Sequence, residues 1–538
     1  MAEKYAASAA TARTRREWRR VFTVVCAVLA LSYGYFFSGG GWNQASRFAL
    51  VRAIVEQKTI QIDRYHHVTG DKAQRDGHYY CDKAPGVSFI AVPVVAAARP
   101  ILKMVGVDAQ SQAGLTWLAF LATFFASSMP SVGGAAASMW LARRLGAEPW
   151  HAALAALTVG LGTPTFAYSI LFWGHATAGA CLIAALALGV AAVETQELRG
   201  RLLRSTVTGL LLASAALVEY PAAGAGSIVG AALIYLAHRA RGMRGAAELL
   251  VGFALGALVP AALLLTYQKL AFGSAFTLSY AKVQGFEGMK QGFFGISFPR
   301  PEILWKLIQG SRRGLIWLAP CLLVVPMGFY LLLRRTRSLT SAIIVRVALA
   351  VFAFYMLLNA SYHYWDGGFT YGPRHVGPAL PFLGLGIAAA CSGPGALRRA
   401  TISLAVLSIF LTTAAMAVNP MPPADVKSLH TTLYLPGLLS GKLAQNGYDY
   451  FGLGATHNFN LGERMGLEGA KTLLPLLMTW ALGLTWLRRL RARIPLLPCT
   501  LSGANPEYVV TCSRCSRRCS EAEAPQSERG VDDFAVRA

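Results

Sequence analysis

The chain has 538 residues, of which 54% are hydrophobic and only 14% are charged, and its formal net charge at pH 7 is +24. A water-soluble protein cannot bury that much apolar surface, so the composition excludes a soluble enzyme, a coiled coil, collagen and a disordered chain. In a soluble protein the charge would suggest a nucleic-acid partner. Here Lys and Arg occur in short clusters between apolar runs, which indicates membrane topology instead.

Thirteen apolar segments follow one another along the chain, and each is near the roughly 20 residues with which a helix spans a bilayer. They predict an all-α polytopic membrane protein. If all of them crossed, the basic clusters from Arg143 and Arg144 onward would fall on the outer side, against the positive-inside tendency. One segment is therefore expected not to cross. The segments are 21–38, 86–104, 112–142, 151–169, 176–193, 205–219, 222–238, 246–269, 314–333, 341–360, 376–391, 400–418 and 471–487.

Segment 86–104 is the candidate for a helix that lies flat on the membrane, because it carries Pro93, Arg99 and Pro100 and ends in Lys103. Without it, about twelve transmembrane helices remain, with both termini cytoplasmic. The domain organisation predicted in this way is a basic cytoplasmic N-terminus at 1–20, a transmembrane domain at 21–490, and a cytoplasmic tail at 491–538 that we expect to be disordered. The same topology places four polar stretches on the outer face: 39–111, 270–313, 361–375 and 419–470.

The first outer stretch is predicted to contain a second membrane-parallel helix over 43–58, since Phe48, Val51 and Val55 recur at helical spacing. A polar connector over 59–85 follows it. The stretch therefore reads as an amphipathic cap resting on the membrane rather than as a separate soluble domain.

The connector 59–85 is dense in ionisable side chains, which suggests a site with a general base and cations for an anionic group. A solvated loop whose opposite charges pair weakly is the alternative. The charged and imidazole side chains are Asp63, Arg64, His66, His67, Asp71, Lys72, Arg75, Asp76, His78, Asp82 and Lys83.

The third outer stretch ends in the string YGPRH at 371–375, which stands at the mouth of the next helix. Arg374 and His375 can hold an anion there, or Arg374 can snorkel to the interface. The last stretch carries His457 before a predicted helix start. Glu219 interrupts an apolar run, which marks either a functional carboxylate or a hairpin turn.

Several strings resemble the GT-C superfamily of membrane glycosyltransferases that use polyprenyl-phosphate sugars, in its bacterial branch. The likeness of layout covers 18–490, with a large first outer loop and many further spans. The strings are NQASRFALVRAIVEQ at 43–57, ID at 62–63, GDKA at 70–73, GHYYCDKAPG at 77–86, YGPRH at 371–375 and NFNLGERMGLEG at 458–469.

The resemblance implies transfer of a sugar from a polyprenyl-phosphate donor to an acceptor hydroxyl on the outer face of the cytoplasmic (inner) membrane. The family usually has an acidic residue just ahead of the first surface helix, where this chain has Asn43. The role of base is therefore assigned to Asp63 or Asp71.

The remaining roles follow the same resemblance. Lys83, Arg374 and His375 are expected to stabilise the departing lipid phosphate. The other substrate-binding candidates are Arg47, Tyr80, Asp82 and His457. No cofactor and no metal-ligand residues are predicted, and the sequence leaves open whether a divalent metal is required. The expected partners are membrane lipid, the lipid-linked sugar and a cell-envelope glycan, lipid or protein acceptor, with no nucleic acid.

The alternative is a twelve-span secondary transporter or lipid-linked-sugar flippase. Transporters tend to place ionisable residues near the bilayer midplane and to show related halves, whereas here the charges gather on one face. An O-antigen ligase or polymerase is a third possibility, although it would have a larger last outer loop than 419–470.

Overall fold

A computed structural model describes residues 2–445 and 447–493. Met1–Leu490 forms one compact unit. The predicted tail from 494 onward lies outside the described residues. The α-helices are α1 Ala2–Tyr33, α2 Trp42–Arg52, α3 Gly86–Met104, α4 Gln112–Thr123, α5 Met129–Arg144, α6 Pro149–Gly162, α7 Thr165–Ile170, α8 Gly174–Glu194, α9 Leu198–Val218, α10 Ala222–Phe272, α11 Pro301–Gln309, α12 Leu315–Leu318, α13 Val325–Arg335, α14 Leu339–Ser361, α15 Leu380–Cys391, α16 Gly395–Val418, α17 Leu435–Leu439, α18 Leu461–Arg464 and α19 Leu474–Arg493.

The apolar runs form the long helices, which confirms the predicted all-α polytopic membrane class. Among the described residues, eight helices are long and apolar enough to cross a membrane. One of them, α10, contains a break at Arg241 and Gly242. The chain reverses direction at this break, so that its two halves pack side by side. A Cβ built at Gly230, in the first half, would lie within 4 Å of both Leu212 of α9 and Phe253 of the second half. The number of spans, twelve, stays a prediction.

The four predicted outer stretches meet at one end of the helix bundle, which we call the polar face. The Arg52 guanidinium donates to the carbonyl of Phe451, joining the first stretch to the last. The amide of Gln284 donates to the carbonyl of Lys72, and further backbone bonds join 297 and 361. All four stretches therefore share one side of the molecule.

Helix α3 starts and ends at this polar face. Near its beginning Ser88 Oγ donates to the carbonyl of Arg47, and just after its end Gln112 Nε2 donates to the carbonyl of Ala455. A 19-residue helix is about 28 Å long, so a crossing helix would carry its far end to the opposite side. The helix is apolar enough to span, but these contacts support the prediction that it does not. Its angle to the bilayer stays a prediction.

Helix α2 continues as a π-helical turn, Ala53–Gln57, and matches the predicted helix at 43–58. Its residues Asn43–Arg52 are all buried, since α3 and the loops of the polar face cover it. The polar side chain of Gln44 turns inward, where Oε1 accepts from the amide of Phe172.

Four short strands form two ladders on the polar face. Strand β1 (Phe36–Phe37) pairs with β4 (Phe459–Asn460) and ties the end of α1 to the last stretch. Strands β2 (Lys72–Arg75) and β3 (His78–Cys81) form a hairpin within the connector. Its turn is Asp76-Gly77, with both residues at positive φ, as a two-residue type I′ turn requires.

Candidate active site

The hairpin brings a lysine between two carboxylates. In its register Lys72 is opposite Cys81, so Asp71, just before β2, lies beside Asp82 and Lys83, just after β3. Lys83 Nζ is 3.0 Å from Asp71 Oδ2 and 2.7 Å from Asp82 Oδ2. The antiparallel pairing, rather than proximity in sequence, assembles this charged triad.

The pKa values of two members of the triad depart from their ordinary values. Both Asp82 and Lys83 are withdrawn from water, and burial raises the pKa of the Asp82 carboxyl to about 6, partly offset by the neighbouring ammonium. Burial alone would lower the pKa of Lys83, but the carboxylates of Asp71 and Asp82 raise it above its usual value. Lys83 therefore stays charged. Asp82 Oδ1 is buried and has no hydrogen-bond partner among the described residues.

Arg47 of α2 fixes the backbone that follows Lys83. Its guanidinium donates to the carbonyl of Ala84 at 2.9 Å, to Asn43 Oδ1 at 3.0 Å and to Glu219 Oε1 at 2.6 Å. Arg47 itself is fully buried. Its role in substrate binding stays a prediction; in this structure these donors are engaged with protein groups, one of them the backbone directly after Lys83.

Two glycines let the segments around this ion pair approach closely. A Cβ at Gly86 would lie 2.7 Å from the carbonyl oxygen of Leu217, and one at Gly174 would lie 2.6 Å from that of Val218. The Glu219 carboxylate, at the end of α9, therefore comes within reach of both Arg47 and the first turn of α8.

Arg374 and His375 lie close enough to Lys83 to influence its charge and be influenced by it. The Arg374 Cζ is 5.3 Å from the Trp173 ring centroid, and the His375 ring is 5.7 Å from that of His175, whose Nδ1 is 3.9 Å from Glu219 Oε1. Three nitrogens here are buried without a hydrogen-bond partner among the described residues: Arg374 Nε, His375 Nε2 and Trp173 Nε1. Buried polar atoms without a partner in the protein call for an explanation, and a catalytic role is one of those known.

His375 does not supply positive charge at neutral pH. Burial, together with the Arg374 guanidinium, holds its pKa well below the usual range of histidine. The cationic member of this pair is therefore Arg374, and His375 contributes a neutral imidazole.

The loop before Arg374 is held by a buried arginine that the sequence analysis missed. Arg313 donates to the carbonyls of Asp366 at 2.9 Å and Thr370 at 2.7 Å, and also to that of Gly368. Its neighbour Arg312 pairs with the Asp366 carboxylate at 2.9 Å. Paired arginines before an apolar run would give only a topology signal in the sequence, because their acceptors are main-chain atoms more than 50 residues away.

The other predicted site residues lie elsewhere. Asp63 binds His78 Nδ1 at 2.7 Å and the amide of Tyr79 at 2.6 Å at the far end of the hairpin, and it is half exposed. Tyr80 packs against Phe272 in a small apolar cluster. His457 is exposed in the last stretch. The structure thus brings together Arg47, Asp71, Asp82, Lys83, Arg374 and His375, and it leaves Asp63, Tyr80 and His457 outside. Among the described residues, no group of three or more His, Cys, Asp or Glu side chains is placed to hold a metal ion.

The fold and the site define a polytopic α-helical membrane protein with a buried charged cluster at its polar face. No protein-family model matches the chain, and no curated protein does. Several solved structures are similar in fold, and three of them are compared with this chain. ArnT from Cupriavidus metallidurans bound to undecaprenyl phosphate has 15% identity and a TM-score of 0.48, over 89% of this chain and 74% of that one. ArnT from the same organism in the apo state has 15% identity and a TM-score of 0.49, over 88% and 76%.

The third is the Archaeoglobus fulgidus oligosaccharyltransferase in complex with Zn and sulfate. It has 13% identity and a TM-score of 0.41, over 75% of this chain and 53% of that one. None of these similarities assigns an activity to the chain.

Proposed function

We propose that the protein is a glycosyltransferase of the GT-C type, which moves a sugar from a polyprenyl-phosphate donor to an acceptor hydroxyl at the outer face of the cytoplasmic membrane. The observation that carries the proposal is the cluster of Lys83, Arg374 and two carboxylates, buried at one end of a membrane helix bundle. The donor's lipid tail needs hydrocarbon and its phosphate needs cations, and such a place offers both.

In the proposed reaction, Asp82 is the general base. Its buried Oδ1 has no hydrogen-bond partner in the described part of the chain, and its pKa of about 6 keeps it ionised at neutral pH while leaving it basic enough to take a proton. Asp71 is the counter-ion that holds Lys83 in place. Asp63, the other carboxylate that the sequence suggested, is engaged with His78 and has no part in the step.

The step is a single displacement. As Asp82 removes the proton of the acceptor hydroxyl, the acceptor oxygen forms a bond to the anomeric carbon. The bond from that carbon to the phosphate oxygen breaks, and its electron pair stays on the polyprenyl phosphate. Lys83 and Arg374 stabilise the charge that develops on this leaving group. Inversion at the anomeric carbon follows.

The test is an assay in reconstituted vesicles with undecaprenyl-phosphate sugars as donors and a mixture of cell-envelope lipids and glycans as acceptors. We expect release of undecaprenyl phosphate together with a glycosylated product, and loss of both with Asp82→Asn. Asp63→Asn is the matched control and should keep activity. Movement of the lipid-linked sugar across the membrane without cleavage would instead support a flippase and contradict the proposal.

A further inference from the structure

A cavity of about 300 Å³ lies within segment 279–294 of the second polar stretch, to which the proposed reaction gives no role. Four aromatic side chains, those of Tyr280, Phe286, Phe293 and Phe294, contribute to its walls. The volume is at the lower end of that of small-molecule sites, which typically combine aromatic walls with a few polar groups.

The cavity is a built feature of the loop. Phe294 has a φ of 53°, a left-handed conformation that costs free energy in a bulky residue and is often found at functional sites. Next to it, a Cβ at Gly292 would overlap the carbonyl oxygen of Ile296. The turn is also anchored from outside, since the amide of His363 donates to the carbonyl of Gly295 at 2.7 Å.

One wall of the cavity borders the charged cluster. The Phe286 ring centroid is 6.0 Å from Lys83 Nζ. Tyr280 packs edge-on against Tyr220 with ring centroids 5.2 Å apart, directly after Glu219. A molecule in the cavity would therefore lie beside the atoms that the proposed reaction uses.

The charges of the cavity favour a neutral occupant. Glu287 and Lys290, which also line it, pair with each other at 2.6 Å and are mostly exposed. Their charges are mutually compensated, and the nearby cation of the cluster, Lys83, does not line the cavity but contacts the ring of Phe286. A phosphate fits the cluster better than the cavity.

We propose that this cavity binds a neutral sugar ring of the acceptor, resting on the proposed function for the role of acceptor. The C–H bonds of a sugar face carry partial positive charge and pack well on the negative face of an aromatic ring, and Glu287 and Lys290 offer hydrogen bonds to its hydroxyls. The acceptor hydroxyl would then point towards Asp82.

The test measures binding to the full-length protein in lipid nanodiscs. The probes are a panel of methyl hexosides and pentosides, followed by saturation-transfer NMR, and undecaprenyl phosphate in a separate titration. Phe294→Asn removes the ring and keeps a residue type that tolerates positive φ, and Phe293→Ala removes a second ring. Phe298→Ala is the matched control, since this phenylalanine is 88% exposed in the same loop and does not line the cavity.

We expect wild type to bind at least one glycoside, and the Phe294 and Phe293 variants to bind it about tenfold more weakly, as the loss of a stacked ring would cause. The control should be unchanged, and the undecaprenyl phosphate affinity should be equal in all four proteins, which also shows that the variants are folded. Absence of glycoside binding, or a loss confined to undecaprenyl phosphate, would overturn the inference. Glycoside binding that depends on Phe294 without any binding of undecaprenyl phosphate would support a sugar site and refute the proposed function.

Discussion

Lys83 differs from the other cations of the polar face in having two carboxylates as neighbours, both largely withdrawn from water. A buried lysine with a single partner would be marginal, because desolvation opposes its charge. With Asp71 and Asp82 together the ammonium stays charged, and burial raises the pKa of the Asp82 carboxyl. The protein thereby keeps a fixed cation and a weakly basic carboxylate side by side.

The activity should depend on pH through Asp82. The carboxyl must be ionised to accept a proton, so the transfer rate at limiting substrate should fall below an apparent pKa of about 6, approaching about tenfold per pH unit. Stability should change in the opposite sense: since the folded pKa is above the ordinary value near 3.9, ionisation of Asp82 costs stability as pH rises from about 4 to about 6. A rate profile measured from pH 4.5 to 8 checks the first expectation, and thermal unfolding in detergent measured from pH 4 to 6 checks the second.

Asp63→Asn is the control for this profile, because Asp63 has its contacts at the other end of the hairpin. We expect this variant to show the same fall in transfer rate at low pH as wild type. Loss of the low-pH fall in rate in Asp63→Asn would show that Asp63, and not Asp82, is the carboxylate that must be ionised.

Two short strings that the sequence singles out, DKAPG at 82–86 and YGPRH at 371–375, contain residues of this cluster. The sequence could not choose between carboxylates. Asp63 and Asp71 look alike in the sequence, and only the hairpin register places Asp71 beside Lys83. The Asp76-Gly77 turn was a readable signal for that hairpin. Arg313 could not be found, because its partners are distant main-chain carbonyls.

At the scale of elements, close contact between α8 and the end of α9 sets the position of Glu219. Gly174→Ala would place a methyl group 2.6 Å from the Val218 carbonyl oxygen, so we expect a loss of about 1–3 kcal/mol in the free energy of unfolding and weaker activity. Thermal unfolding in detergent, with the transfer assay, measures both effects.

Gly133→Ala is a matched control within α5, since a Cβ there has nothing within 4 Å. Alanine in a helix interior is favoured over glycine by about 0.5–1 kcal/mol, so this variant should be unchanged or slightly stabilised. Equal destabilisation by the two changes would show that the α8–α9 contact has no special role.

The loop that precedes Arg374 is held in place by the hydrogen bonds of Arg313. Arg313→Lys keeps the positive charge, but an ammonium group lacks the planar guanidinium fork that donates to three carbonyls at once. Each buried carbonyl left without a donor costs on the order of 1–3 kcal/mol of stability. We expect a destabilisation of about 2–4 kcal/mol and weaker donor binding. The neighbouring Arg312→Lys, at a partly exposed ion pair, should cost less than about 1 kcal/mol; the reverse order would contradict this interpretation.

At the scale of the whole molecule, the charged cluster exists because segments far apart in sequence end on one face. The basic clusters predict that face to be the outer one, and the contacts of Ser88 in α3 and of Gln112 at the start of α4 keep 105–111 there as well. If α3 crossed the membrane, the connector 59–85 before α3 and the start of the helix that follows α3 would lie on opposite sides of the membrane.

Single cysteines report this topology. Val105→Cys, just after α3, and Phe298→Cys should both react with a membrane-impermeant maleimide added outside sealed cells, whereas Arg337→Cys, in a basic cluster, should react only after permeabilisation. All three positions are exposed, and a background without the native cysteines is needed. Labelling of Val105→Cys and Phe298→Cys from opposite sides would refute the arrangement.

The measurement that tests the central claim most directly is the affinity of the purified protein for undecaprenyl phosphate. If the buried cluster recognises the donor's phosphate, Lys83→Met and Arg374→Ala should each weaken binding by about tenfold or more, because a charge-assisted hydrogen bond contributes about 1.5–3 kcal/mol, and Asp63→Asn should bind like wild type. Wild-type affinity in both cation variants would contradict the account.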